Sequence, residues 1–162
     1  MSRNYKTKEY CVVDFVKNKY PNLIWIADKK INNGSSKRRP DLLLDLIYQI
    51  IIIEIDENQH TDYDCSCENK RLMELSQDLQ HRPIVFIRFN PDKYINQEGV
   101  TIKSCWKINK LGLLQIMKTK ENEWMERINA LKQQIHYWIG TPPEKMVEII
   151  HLFYDVTVFE YF

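Results

Sequence analysis

A chain of 162 residues, 28% charged and 44% hydrophobic with only four glycines, is sized for one domain with a proper core; disordered, collagen-like and low-complexity classes are excluded. Its net charge of +1 excludes a polyanion partner recognised through overall charge, so a nucleic-acid surface has to come from local clustering. No stretch approaches the roughly 20 apolar residues of a membrane span, and Met1–Glu9 carries charge where a secretory leader needs an apolar core. The expectation is an intracellular protein with no membrane partner and no assigned compartment.

The first predicted element is a helix over Lys6–Lys19, with Thr7 as its cap, Glu9 in its first turns and Pro21 beyond its end. Leu23–Ala27 alternates as a strand. The polar stretch Asp28–Lys37 contains Asn32-Asn33-Gly34-Ser35-Ser36 and reads as a loop. With Arg38 and Arg39 just beyond it, its Lys29, Lys30 and Lys37 form the densest positive cluster in the chain. Asp41–Leu46 and Tyr48–Asp56 follow as two strands joined by a tight connection, most simply a hairpin. The run Ile50–Ile53 is short, β-branched and ended by charge, as in a strand buried on both faces.

A helix is predicted over Cys65–Gln80, with Leu72, Leu75 and Leu79 as its apolar stripe. Ile84–Phe89 is a buried strand closed by Asn90-Pro91-Asp92. Tyr94–Lys110 has no clean period and reads as loop with weak strand character. Leu111–Trp138 is rich in helix formers, with Trp124, Ile128, Leu131, Ile135 and Trp138 at helical spacing, and Gly140 and Pro142-Pro143 stop it. Met146–Phe153 is a last strand. The aromatic tail Val156–Phe162 either caps the core or forms a homodimer contact. Inside a cell, Cys11, Cys65, Cys67 and Cys105 are reduced thiols; Cys65 and Cys67, spaced C-x-C, either stay free or join Cys105 and His60 or His81 on zinc.

Chemistry concentrates between Lys37 and His60. Glu54 ends a four-isoleucine run, where a charge is costly without a partner, and Asp56 repeats it two positions on, on the same strand face. If the strand carrying Asp41 pairs alongside, three carboxylates converge at one sheet end. Such a cluster repels itself unless a cation occupies it, and its oxygen donors suit Mg²⁺ or Mn²⁺.

Pro40-Asp41, a gap of a dozen residues, and Glu54-Ile55-Asp56 on a buried strand resemble the PD-(D/E)XK nuclease superfamily, as does the element order from Glu9 to Phe89. The resemblance implies an α/β, restriction-endonuclease-like core with a mixed β-sheet flanked by helices, over about residues 6–90 of a single domain, and a helical and strand extension over about 91–162. It also implies that Asp41 and Glu54 bind Mg²⁺. The family's Lys is replaced by Asp56. That departure is similar to the branch of very short patch repair endonucleases and of homing endonucleases with an E-D-H-D style site. There a downstream His, here His60, activates water, and a carboxylate of the first helix, here Glu9, joins the site.

The implied activity is metal-dependent endonucleolytic hydrolysis of DNA. The site then comprises Asp41, Glu54, Asp56, His60 and Glu9, with the first three as metal ligands. A neutral imidazole titrating near 6.5 suits His60 to accept a proton from water. Lys37, Arg38 and Arg39 abut the site as phosphate contacts; Lys70 and Arg71, otherwise part of a solvated helix face, and Arg88, at the end of the next strand, are further candidates. Two alternatives stay open at this point: a nucleic-acid-binding module of nuclease descent that no longer cuts, and a nuclease directed at RNA.

Overall fold

In a computed structural model that describes residues 7–27, 40–60 and 73–155, the central strands are β1 (Trp25–Ala27), β2 (Leu42–Asp45), β3 (Ile50–Ile55), β4 (Ile84–Phe89) and β9 (Val147–Leu152). They form one mixed sheet in the order β1-β2-β3-β4-β9. β1, β2 and β3 run antiparallel, whereas β3, β4 and β9 are parallel neighbours. The predicted hairpin is β2–β3: Leu42 to Asp45 face Ile53 to Ile50, and Leu46 N–H donates to the Gln49 carbonyl across the turn at 2.9 Å. Ile47 at its tip has φ +74° and is 83% exposed.

Every residue of β3 and β4 is buried, because helices cover both faces of the sheet. α1 (Lys8–Lys19) begins where Thr7 Oγ1 accepts the Tyr10 N–H at 3.0 Å, and it ends before Pro21, which cannot continue it. Its Val12 and Val16 pack with Ile51, Ile53, Val85 and Ile87, and on the same side α3 (Glu121–Ile139) buries Trp124, Ile128, Leu131 and Ile135. The opposite face, Leu43, Ile50, Ile52, Ile84 and Phe86, is covered by Leu75 and Leu79 from a helix, α2, described over residues 73–78, and the turn after it. Gln49, fully buried, closes the C-terminal end of α3 by donating to the Trp138 and Thr141 carbonyls.

Between β4 and α3 lie two small antiparallel ribbons, β5 (Tyr94–Ile95) with β6 (Thr101–Ile102) and β7 (Trp106–Ile108) with β8 (Leu114–Ile116). The second one corrects the expected helix over Leu111–Trp138, whose helical part begins at Glu121. Residues 111–120 contain helix formers, but Gly112 sits at φ +77° in a turn closed by Asn109, and Leu114 to Ile116 pair with Ile108 to Trp106. Among the described residues no helix is long and apolar enough to cross a membrane.

Candidate active site

Asp41 and Glu54 lie at one end of the β2–β3 hairpin, each one position beyond the Leu42–Ile53 pair. Asp41 Oδ2 accepts the backbone N–H of Ile55 at 2.8 Å, which ties the residue before β2 to the last residue of β3. Ile53 and Ile55 point into the core under α1 and α3, so alternation puts Glu54 on the face covered by α2. Glu54 is 6% exposed and Asp41 is half-buried.

Asp56, 2% exposed, forms a buried ion pair with Arg88 of β4 and accepts the phenolic hydrogen of Tyr154 on the same oxygen. Parallel register sets Arg88 beside Glu54 on one side and His151 on the other. The Arg88 guanidinium also lies 4.9 Å from the Phe86 ring centroid. Burial, and then the Asp56 carboxylate, push the Tyr154 phenol far above its ordinary range, so it stays a donor. Burial and the neighbouring Arg88 charge lower His151 to about 4, against the opposing pull of Asp56. The His151 imidazole is therefore neutral at physiological pH, packed edge-on against Tyr154 with centroids 4.9 Å apart.

After Asp56 the backbone makes a tight turn, Glu57–His60, with Asn58 at φ +55° and Gln59 at φ +61°. Asn tolerates the left-handed region, whereas Gln in it has to be held by its surroundings. Two clamps hold it. Asn58 N–H donates to Asp92 Oδ2 at 3.0 Å, and the Gln59 amide bridges to Asp155, donating at 3.0 Å and accepting the Asp155 N–H at 2.9 Å. The other Asp92 oxygen accepts Lys8 Nζ at 2.7 Å and Ser104 Oγ at 3.1 Å, although the carboxylate is almost fully buried. The first turn of α1, which carries Glu9, is thereby joined to the turn that carries His60. A cavity of about 520 Å³ opens beside this turn, lined by Asn58, Gln59, Lys93, Tyr94 and Asp155 among others.

Arg88, expected at a nucleic-acid groove, is instead 4% exposed and turned inward to Asp56, so its charge acts within the fold. Lys37, Arg38, Arg39, Lys70 and Arg71 lie outside the described residues, as do Cys65, Cys67 and the tail 156–162. Cys105 is fully buried in the main core and donates to Glu123 Oε2 at 3.1 Å. Burial and that hydrogen bond push its thiol up to about 11, so it is held as a protonated donor to Glu123. Trp106 is 7% exposed and packs edge-on against Trp124. Among the described residues no three His, Cys, Asp or Glu side chains are grouped to hold a metal ion. Sequence reasoning missed Asp92, His151 and Tyr154. Asp92 follows a strand end and was legible as a terminator only, while His151 and Tyr154 reach Asp56 through the register of β9, which no local pattern reveals.

Comparison with protein-family models, curated proteins and solved structures finds no match to this chain.

Proposed function

We propose that the protein is a Mg²⁺-dependent endonuclease that hydrolyses phosphodiester bonds in DNA, with Mn²⁺ able to replace Mg²⁺. The observation that supports this reading is the placement of Asp41 and Glu54 at one end of a buried hairpin, immediately before the clamped turn that bears His60. The order of elements supports it further. A first helix, three antiparallel strands, and a parallel fourth strand reached by a crossover containing α2 follow the plan expected of a restriction-endonuclease-like core.

Two carboxylates are a sufficient protein donor set for Mg²⁺, which keeps several waters and takes substrate phosphate oxygens as its other ligands. Asp41 and Glu54 would hold it; when bound, the ion polarises the phosphate and neutralises charge that develops on it. His60 takes the proton of the attacking water, a role matched to an imidazole near neutral pH. Glu9 adds a carboxylate from the first turn of α1. Asp56, engaged with Arg88 and Tyr154, contributes as a positioning residue: it fixes the side chain of Arg88, the β4 residue in register with Glu54. Lys37, Arg38 and Arg39, adjoining Asp41 in the chain, and Lys70 and Arg71 contact backbone phosphates.

The commitment of Asp56 to Arg88 and Tyr154 favours one competing reading, a DNA-binding module of nuclease descent without catalysis. Incubation with supercoiled plasmid separates the two. A nuclease nicks in the presence of Mg²⁺ or Mn²⁺ and loses the activity in Asp41→Ala, in His60→Ala and on addition of EDTA; a module binds and leaves the plasmid intact with either metal.

A further inference from the structure

Residues 99–120 contain five lysines and neither Asp nor Glu, a local charge of +5 in a chain whose total is +1, which leaves the other residues at a net −4. This segment is folded. It builds β6, the β7–β8 ribbon and the turn into α3. Lys103, Lys107, Lys110 and Lys118 are exposed, and the one ion pair that a lysine of this segment makes among the described residues is Lys120 with Glu123 at 3.6 Å. A concentration of unneutralised charge disfavours the isolated fold by self-repulsion and favours a polyanionic partner.

The ribbon is also stiff. Asn109 Oδ1 accepts the Leu111 and Leu113 N–H groups at 2.8 and 3.0 Å, and its amide donates to Gln115 at 3.0 Å, so the tip turn is held by one side chain. At the root, Trp106 packs edge-on against Trp124, and Ser104 donates to Asp92, the carboxylate that also holds Asn58 beside the proposed site. The tip presents Ile108, 69% exposed and set between Lys107 and Lys110, and Leu111, 82% exposed and directly after Lys110. Large aliphatic side chains held in water by a rigid turn and flanked by lysines suit a surface that is apolar at its centre and anionic at its rims. A nucleic-acid groove has that character, and a two-stranded ribbon is narrow enough to enter one. An anionic membrane surface shares the charge, but the tip lacks the aromatic residues that favour the lipid interface.

We infer that the β7–β8 ribbon is a second DNA contact, in which Lys107 and Lys110 meet backbone phosphates while Leu111 and Ile108 enter a groove. The inference rests on the proposed function in taking the same duplex as partner. It is tested without metal, so that binding is read apart from cleavage. The affinity of a labelled short DNA duplex for the whole protein in EDTA is measured by fluorescence anisotropy over a salt series, for wild type, Lys107→Gln/Lys110→Gln and Leu111→Ser. Removing one lysine–phosphate interaction flattens the dependence of log affinity on log salt by about 1, so the double variant is expected to be shallower by about 2. Leu111→Ser is expected to bind several-fold more weakly at an unchanged slope. These substitutions are at exposed positions, and matching melting curves verify that the fold is kept. Equal slopes for wild type and the double variant, or no binding of duplex alongside binding of phosphatidylserine vesicles, overturns the inference. A flattened slope in a protein that nicks no plasmid with any metal retains the ribbon and removes the catalytic reading. Nicking with equal slopes does the reverse.

Discussion

Asp56 and Arg88, 32 positions apart in the chain, form an ion pair in which both side chains are about 95% or more buried, and Tyr154 supplies the third member of the group. Removing one member of a buried pair leaves the other charge uncompensated, at a cost of about 3–5 kcal/mol, whereas replacing both by apolar groups of similar volume is often close to neutral. Asp56→Ala and Arg88→Met should therefore each lower the melting temperature by on the order of 10 °C. Asp56→Leu combined with Arg88→Met should recover more than half of that loss. Thermal melts of the three variants check this, and losses that simply add would contradict a mutual pair.

Ile47 is a β-branched residue held at φ +74° in the β2–β3 turn, with its side chain in solvent. Tyr48 N–H donates to the Leu46 carbonyl at 2.8 Å, which makes Ile47 the centre of a γ-turn; positive φ there costs a residue with a Cβ on the order of 1–3 kcal/mol, and Gly avoids most of that. Ile47→Gly should stabilise the protein by about 1 kcal/mol and raise its melting temperature by a few degrees. Asp45 Oδ1 already accepts the Ile47 N–H at 2.7 Å, so the turn is kept in the variant. A lower midpoint in urea would show that Ile47 makes a contribution that its exposure does not reveal.

His151 is lowered to about 4 from an ordinary value near 6.5, chiefly by burial and then by Arg88. The unfolded chain binds this proton more readily than the folded one, so the contribution to stability is complete above about 6.5 and is lost as pH falls toward 4. Partial exposure of the ring reduces the effect to roughly 1–2 kcal/mol. The wild-type melting temperature should fall more steeply across that window than that of His151→Gln. Parallel curves would mean that the ring takes up its proton without disturbing the group around Asp56.

Much of the fold was legible because its signals are local. Thr7 before an amphipathic stretch, four consecutive isoleucines, and Trp124, Ile128, Leu131 and Ile135 at helical spacing each identify an element without reference to the rest of the chain. Leu111–Lys120 misled for the same reason: its composition favours helix, but its structure depends on pairing with Trp106–Ile108 across a turn at Gly112. At the site, alternation along β3 was enough to assign Glu54 and Asp56 to one face. It could not distinguish their environments. Asp56 meets Arg88, His151 and Tyr154 through the parallel register of β3, β4 and β9, a relationship among residues up to 98 positions apart. Arg88 itself reads as a phosphate contact when only its place at a strand end is known, and as an internal counter-ion once the register is known.

The central claim, that Asp41, Glu54 and His60 carry out metal-dependent phosphodiester hydrolysis, is tested most directly by the initial rate of plasmid nicking in Mg²⁺ as a function of pH. Wild type, Asp41→Asn, Glu54→Gln and His60→Ala are compared at matched folded fractions. With His60 as the base, the wild-type rate should climb as pH rises through roughly 6 to 7 and then level off. Asp41→Asn and Glu54→Gln should fall by at least about 100-fold, the effect of removing a group that stabilises transition-state charge. His60→Ala should lose both rate and the climb. A wild-type protein that nicks no plasmid in Mg²⁺ or Mn²⁺ at any pH, or one that His60→Ala and Asp41→Asn equal in rate, would contradict the account.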